Sequence, residues 1–397
     1  MIQSVVFWAF LFGSAILYWI LPRRIRYAAI ALCSFAYIAT LDWKSATALF
    51  FWSLAFFYLA PLAVNGKGWR RSVTPALMLA ILSYLAFFKY IPPIINALRP
   101  TDVERNYIIP LGISYFSFKL IHYVIEVARG NMKDRSLQNF LLYIFFFPIF
   151  TAGPIERFDT FLASRDERPS MEAIVHGLSR IIYGLIKKFT IAGLILTPML
   201  RGVTDASVLL ERLDVLPVYK VWGFLYISFL LVYMDFSAYS DIAIGSSRLF
   251  GIKITENFNF PIIAPTVSNF WKRWHITLVN WVQAYIYLPV IGLTRNPYLA
   301  IFSTMSVMAL WHAGSFHWLF WGWYHATGLV IFLTWSRYKR KRKIKFPENT
   351  PILRHWGIPL TTAWVVGGYA FTTTYQHASI YGAIRILAKL LALDLPA

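Results

Sequence analysis

Apolar residues run along this chain in a long series of stretches separated by short polar segments. Stretches near 3–21, 28–41, 46–64, 74–95 and 107–128 are long enough, or nearly so, to cross a hydrocarbon layer of ~30 Å as helices. Those near 138–152, 173–200, 217–250, 278–292, 298–311, 316–335, 357–376 and 379–393 are less regular; several are short or broken by charge, as Lys187 and Lys188 break theirs. Such interrupted segments predict re-entrant helices, whose irregular backbone must be buried in protein or line a wet cavity. The pattern predicts an all-α polytopic membrane protein with roughly 11 transmembrane helices plus re-entrant and interfacial ones. With no fixed-period repeat and no low-complexity linker, residues 1–397 read as one integral membrane domain.

The polar segments between the early spans add an orientation. RRIR (23–26), KGWRR (67–71) and RGNMKDR (129–135) follow odd-numbered spans, whereas TLDWK (40–44) and TDVERN (101–106) follow even ones and carry balanced charge. The positive-inside rule puts the first three in the cytoplasm and the amino terminus outside. RYKRKRKIK (337–345) is the longest basic run and is also expected in the cytoplasm, so an even number of crossings lies between 135 and 337. The first span lacks a preceding basic stretch and is followed directly by two arginines, which reads as a retained span and not a cleaved signal peptide.

Composition agrees with this reading and removes other classes. The chain is 58% hydrophobic and 14% charged, with a mean hydropathy of +0.55, outside the range of ordinary soluble domains. The basic residues behind its net charge of +20 cluster in short segments between apolar runs, as juxtamembrane charge does, so membrane lipids and not nucleic acid are the expected partners. Cys33 is the single cysteine, which argues against disulfides and thiolate metal sites.

Polar residues inside apolar segments are the candidate chemistry. Asp235 and Asp241 stand in LLVYMDFSAYSDIAIGSSRLFG (230–251), each four positions from a hydroxyl, Tyr239 and Ser237, that would satisfy it on the next turn. They read either as interhelical glue or as part of an ion path. In 268–289, Trp271, Trp274, Leu278, Trp281 and Tyr285 recur at helical spacing, predicting one interfacial helix with Lys272 and Arg273 off its aromatic stripe. His275 in this segment reads as a packing residue or a catalyst.

Residues 310–325, LWHAGSFHWLFWGWYH, hold His312, His317 and His325 among four tryptophans with no charged neighbour. On one continuous helix His312 and His317 would lie ~140° apart and His317 and His325 ~80° apart, which does not converge on a metal. HExxH and GxSxG motifs are absent from the sequence. A histidine acting alone or with one partner as general base is the chemistry that fits.

The ordered set PLGISYFSFK (110–119), FFFPIFTAGPIERF (145–158), YGLIKKF (183–189), YMDFSAYSDIAIGSSRLFGI (233–252), ENFNFPI (256–262), FWKRWHITL (270–278) and ALWHAGSFHWLFWGWYH (309–325) resembles the membrane-bound O-acyltransferase family. The resemblance is greatest to its bacterial branches that O-acetylate alginate or D-alanylate teichoic acid. It implies a helical shell around a central funnel, in a bacterial cytoplasmic membrane. It implies that His312, in the LWH motif, is catalytic, with His275, 37 positions earlier, as its partner.

The donor so implied is an acyl thioester on coenzyme A or an acyl carrier protein, with acetyl the foremost acyl group. The acceptor is a hydroxyl of a glycan or polyol, or of an extracytoplasmic acyltransferase partner that relays the group to the cell envelope. Lys272 and Arg273 are weak candidates for contacting donor phosphates; as interface anchors they read equally well. No metal and no tightly bound cofactor is expected. Asn269 replaces an Asp common before the FW pair, and Ala313 a Gly common after LWH, so the branch, and with it the substrate, stays open. A transporter or flippase, and a non-catalytic scaffold, are the rival classes.

Overall fold

The computed structural model describes residues 2–64, 67–92, 109–132, 135–165, 170–200, 202–344, 351–375, 377, 379–393 and 395, with the side chains of 351–354 set aside. The TDVERN segment and Lys345 lie outside the described residues. Among the described residues every regular element is a helix. Five helices among the described residues are long and apolar enough to cross a membrane: Arg23–Ala63, Gly68–Lys89, Met171–Met199, Val218–Arg248 and Ile276–Thr294. Large apolar side chains such as Val5 and Leu293 are 81% and 86% exposed, as lipid-facing positions are in a chain whose solvent is hydrocarbon.

The described residues divide into two compact units. The first comprises Met1–Gly184 and Tyr239–Thr255. It opens with α1 (Val5–Ile20), capped by the Ser4 hydroxyl on the Val6 N–H, and α2 (Arg23–Leu59). The spans expected at 28–41 and 46–64 are one helical element kinked at Asp42, whose backbone leaves the helical region. Its carboxylate takes up the Ser45 N–H at 3.1 Å and the Ser45 hydroxyl, so the bend is stabilised by the residue that makes it.

α3 (Val73–Lys89) and α4 (Ile113–Ala128) follow, then α5 (Leu137–Phe145) and α6 (Phe158–Ala163). α5 is ~14 Å long at 1.5 Å per residue, too short to span, and the chain between it and α6 is irregular. α4 supplies the groups that this irregular backbone needs. Lys119 donates to the Tyr143 and Ile144 carbonyls at 2.9 and 3.5 Å, and His122 Nε2 accepts the Phe158 N–H at 3.0 Å. Glu156 accepts the Thr255 N–H at 2.5 Å, and its own carbonyl takes the Tyr143 hydroxyl.

α7 (Met171–Leu185) crosses the Tyr239–Thr255 segment where Gly177 meets Gly245; a Cβ on either would lie 2.8 or 2.5 Å from the other's carbonyl oxygen. Next to this contact Arg180 pairs with Asp241 at 2.6 Å. The partner of Asp241 is thus a cation on another helix, in place of the hydroxyl expected from the sequence.

The second unit comprises Leu185–Ala238 and Glu256–Ala397. It begins with a π-helical stretch, Ile186–Leu196, followed by α8 (Ala206–Glu211) and α9 (Val218–Arg248), whose last turns belong to the first unit. Asp235 on α9 pairs with Lys188, again a cation from a second helix. The segment expected as one helix over 268–289 is broken. α10 (Val267–Trp271) ends in a bend, α11 (Ile276–Val282) starts after His275, and a π turn (Gln283–Tyr287) leads to α12 (Leu288–Thr294).

α13 (Pro297–His312) and α14 (Phe316–Lys341) form the principal hairpin, separated by Ala313–Ser315. The residues 310–325 therefore belong to two helices. Gly322 lets them approach, since a Cβ there would lie 2.7 Å from the Met305 carbonyl oxygen and 2.8 Å from Ala309 Cβ. α15 (Pro351–Gly367), α16 (Tyr369–Thr374) and α17 (Ile380–Leu390) complete the unit.

Candidate functional site

His275 sits at the break between α10 and α11, with φ +46° and ψ +50°. This left-handed conformation is uncommon for a residue with a Cβ and costs free energy that the surroundings must offset. Two backbone hydrogen bonds hold it: Ile276 N–H to the Asn257 carbonyl at 2.9 Å, and Asn259 N–H to the Arg273 carbonyl at 3.0 Å. Arg273 adds its guanidinium, donating to Asn269 Oδ1 at 2.7 Å and to the Asn259 carbonyl at 3.1 Å. This guanidinium is thereby engaged in shaping the turn.

The His275 side chain is 2% exposed, and its Nδ1 lies 3.0 Å from Asn257 Oδ1. That oxygen also accepts the Thr277 hydroxyl at 2.9 Å and faces the Thr277 N–H at 3.4 Å, so it is the acceptor end of the carboxamide. His275 must then carry its proton on Nδ1, which leaves the Nε2 lone pair uncommitted. Among the described residues Nε2 has no hydrogen-bond partner.

The ring is walled by aromatics. Phe236 of α9 meets it edge-on at 4.7 Å and Trp311 of α13 at 5.7 Å between ring centroids.

Trp311 links this residue to the next. His312 is the last residue of α13, with its ring 4.7 Å from Trp311, stacked on Trp318 at 4.2 Å with a 13° interplanar angle, and 5.6 Å from Trp321 edge. It is half-buried, unlike His275. Ser315 caps α14 by accepting the Trp318 N–H, so the turn that ends α13 also fixes the indole under His312. Both histidine rings pack against the Trp311 indole.

His325 lies elsewhere on α14, 1% exposed and edge-on to Trp271 and Trp321. His317 is half-buried beside Tyr375 at 6.1 Å. Lys272 is exposed and lines a cavity of about 230 Å³ with Trp271, Gln283, Thr304, Met305 and Met308.

The structure thus packs both His275 and His312 against Trp311, while Lys272 lines the cavity described above. Asn257, Thr277, Phe236 and Trp318 join the site without having been singled out as site residues. Asn257 stands in the ENFNFPI string, and a buried Asn in an apolar context is a signal in itself; its 18-residue distance from His275 carries none.

Taken together these features define a helical membrane protein with a histidine pair in an aromatic chamber. Residues 4–371 match the membrane-bound O-acyltransferase family, and the chain belongs to it. It is 30% identical over 337 residues to a probable alginate O-acetylase of Pseudomonas aeruginosa, covering 79% of this chain and 62% of that protein. It is 32% identical over 273 residues to a teichoic acid D-alanyltransferase of Streptococcus thermophilus, covering 64% of each. It is 27% identical over 383 residues to a peptidoglycan O-acetyltransferase of Helicobacter pylori, covering 86% of this chain and 69% of the relative. The chain therefore spans less than two thirds of the length of the first two.

Proposed function

We propose that the protein transfers an acyl group, acetyl in the first instance, from a cytoplasmic thioester to a hydroxyl of a cell-envelope glycan or of a relay protein. The observation that carries this reading is the aromatic cluster in which half-buried His312 and buried His275, whose tautomer Asn257 fixes, both pack on Trp311. In the reaction a ring nitrogen of His312 removes the acceptor's hydroxyl proton as its oxygen bonds to the thioester carbonyl carbon. Collapse of the tetrahedral adduct breaks the C–S bond, and the departing sulfur takes the proton back from the imidazolium. His275, held rigid and with Nε2 uncommitted, orients the reacting groups within the same chamber.

Helix length sets the donor's route. Tyr298, at the start of α13, accepts a hydrogen bond from Arg337 at 3.2 Å, next to the basic run that the positive-inside rule places in the cytoplasm. His312 lies 14 residues further along α13, ~21 Å away at 1.5 Å per residue. A thioester on coenzyme A or a carrier protein would have to cross that distance on an extended arm. The cavity beside Ile301, Met305 and Met308 lies along the same stretch of helix, with Lys272 at its wall to meet a phosphate. On this orientation the amino terminus is extracytoplasmic and the protein resides in a bacterial cytoplasmic membrane.

The test is transfer of a labelled acyl group by purified protein in nanodiscs, with acetyl-coenzyme A and a D-alanyl carrier protein as alternative donors. The similarity to a D-alanyltransferase makes the second donor a genuine competitor. Label transfer that disappears in His312→Ala, with the thermal melt intact, is expected. Transfer at the wild-type rate in that variant removes His312 from the mechanism.

A further inference from the structure

The reaction leaves Lys188 and Asp235 unused, although both are charged and stand in apolar helices. Asp235 lies midway along α9, and its carboxylate pairs with the Lys188 ammonium on the π-helical stretch Ile186–Leu196. A charge within an apolar spanning segment is costly and commonly marks a functional position. π-helical turns likewise persist mainly at functional sites, because their hydrogen-bond geometry is poorer than that of an α-helix.

The neighbours of Asp235 indicate the task. Phe236, the next residue, is the ring that meets His275 edge-on at 4.7 Å, and it also packs on Phe258 at 5.1 Å. Tyr233, two residues earlier, packs on Phe258 at 5.7 Å and on Trp274 at 5.9 Å. Asp235 therefore lies between two of the aromatic residues through which α9 walls the His275 turn. Aromatic contacts of this kind tolerate small rotations, and lipid offers little resistance to a helix turning about its axis. An ion pair to a second helix does resist it.

We propose that the Lys188–Asp235 pair is a positioning device for the reaction: it fixes the rotation of α9 so that Phe236 holds the His275 ring against Asn257. The pair acts through Phe236 and touches no reacting atom. This inference rests on the transferase reading given above.

The experiment is a double-mutant cycle in the nanodisc transfer assay, with Asp235→Asn, Phe236→Ala and their combination. Asp235→Asn is expected to lower kcat roughly ten- to a hundredfold, as small misplacements in an active site do, with the donor KM and the thermal melt little changed. The combination is expected to be no worse than Phe236→Ala, because both remove one coupling. The exchanged pair, Lys188→Asp with Asp235→Lys, is expected to recover most of the lost kcat.

Independent losses that multiply in the double variant, or an unchanged kcat in Asp235→Asn, would overturn the proposal. If Asp235→Asn does not fold, Asp235→Glu and Lys188→Arg enter the same cycle with Phe236→Ala and are read by the same criterion. A wild-type protein that transfers nothing, or whose transfer survives His312→Ala, refutes the transferase reading. A normal His312 dependence with no effect at Asp235 refutes only the positioning role.

Discussion

Lys119, His122 and Glu156 in the first unit, and His275, His325 and Trp271 in the second, are all buried, yet their polar atoms are treated differently. In the first unit the Lys119 ammonium meets two carbonyls, His122 Nε2 an N–H, and the Glu156 carboxylate another N–H. In the second, His275 Nε2, His325 Nδ1 and Trp271 Nε1 have no hydrogen-bond partner among the described residues. A buried polar group without a partner is destabilising, by roughly 1–3 kcal/mol. The first set closes hydrogen bonds that an irregular loop would otherwise lack. The second is the arrangement expected where groups must be open to a reactant. In the first set the polar groups are committed to the fold; in the second, three ring nitrogens are left over around the candidate site.

Substitutions on the two sides test the contrast. The largest effect is expected at His312, where Ala should lower kcat about 10²- to 10⁴-fold, the range for loss of a general base, without loss of folded protein. His122→Ala should do the reverse: it orphans the Phe158 N–H, so the folded fraction falls while turnover per folded molecule stays near wild type. Size-exclusion yield and single-turnover transfer on the same preparations separate the two outcomes, and equal behaviour of the two variants would erase the distinction.

Next comes Asn257→Ala, which frees the His275 ring to change tautomer and is expected to lower kcat roughly ten- to a hundredfold. Asn257→Asp should keep much of the activity, because the acceptor oxygen remains. A substitution at His325 is the sharper challenge, since its Nδ1 also lacks a partner although it packs beneath Trp271 and Trp321. His325→Phe keeps an aromatic ring but is bulkier in a tightly packed site, so overpacking should cost about 1–3 kcal/mol in thermal stability, with transfer retained. Loss of transfer in that variant would extend the reactive chamber to a third histidine.

The smallest effect concerns pH at the head of α8, between the spanning helices. The Ser207 hydroxyl and the Val208 N–H hold the Asp205 carboxylate, lowering its pKa to about 2 from an ordinary value near 3.8. A depressed carboxylate stabilises the folded state above its unfolded pKa, and that contribution fades as pH falls through the folded one. The melting temperature of wild type should therefore draw toward that of Asp205→Asn only between about pH 4 and 2. Identical slopes across that window would show that the cap is not formed in solution.

The sequence made the membrane character legible because apolar runs of spanning length have few other uses, and the kink at Asp42 fell where two predicted runs met. It was less informative at 268–289. An aromatic stripe at helical spacing suggested one helix, but Asn257 from a preceding loop captures the turn and breaks it at His275. Helical spacing reports which faces are apolar and cannot register a hydrogen bond from 18 residues away. The same limit explains Asp235 and Asp241, for which local hydroxyls were the partners visible in sequence and distant cations, Lys188 and Arg180, are the partners found.

The sequence by itself determined an all-helical chain for a hydrocarbon solvent and the identity of the histidines able to act as bases, because hydropathy and side-chain pKa are properties of residues taken singly. Tertiary structure alone decided that His275 and His312 both pack on Trp311, that Asn257 assigns the proton on His275, and that Phe236 of α9 meets that ring. Those are facts about distance and direction between remote segments, set by which packing satisfies the most polar groups while leaving apolar surface to the lipid.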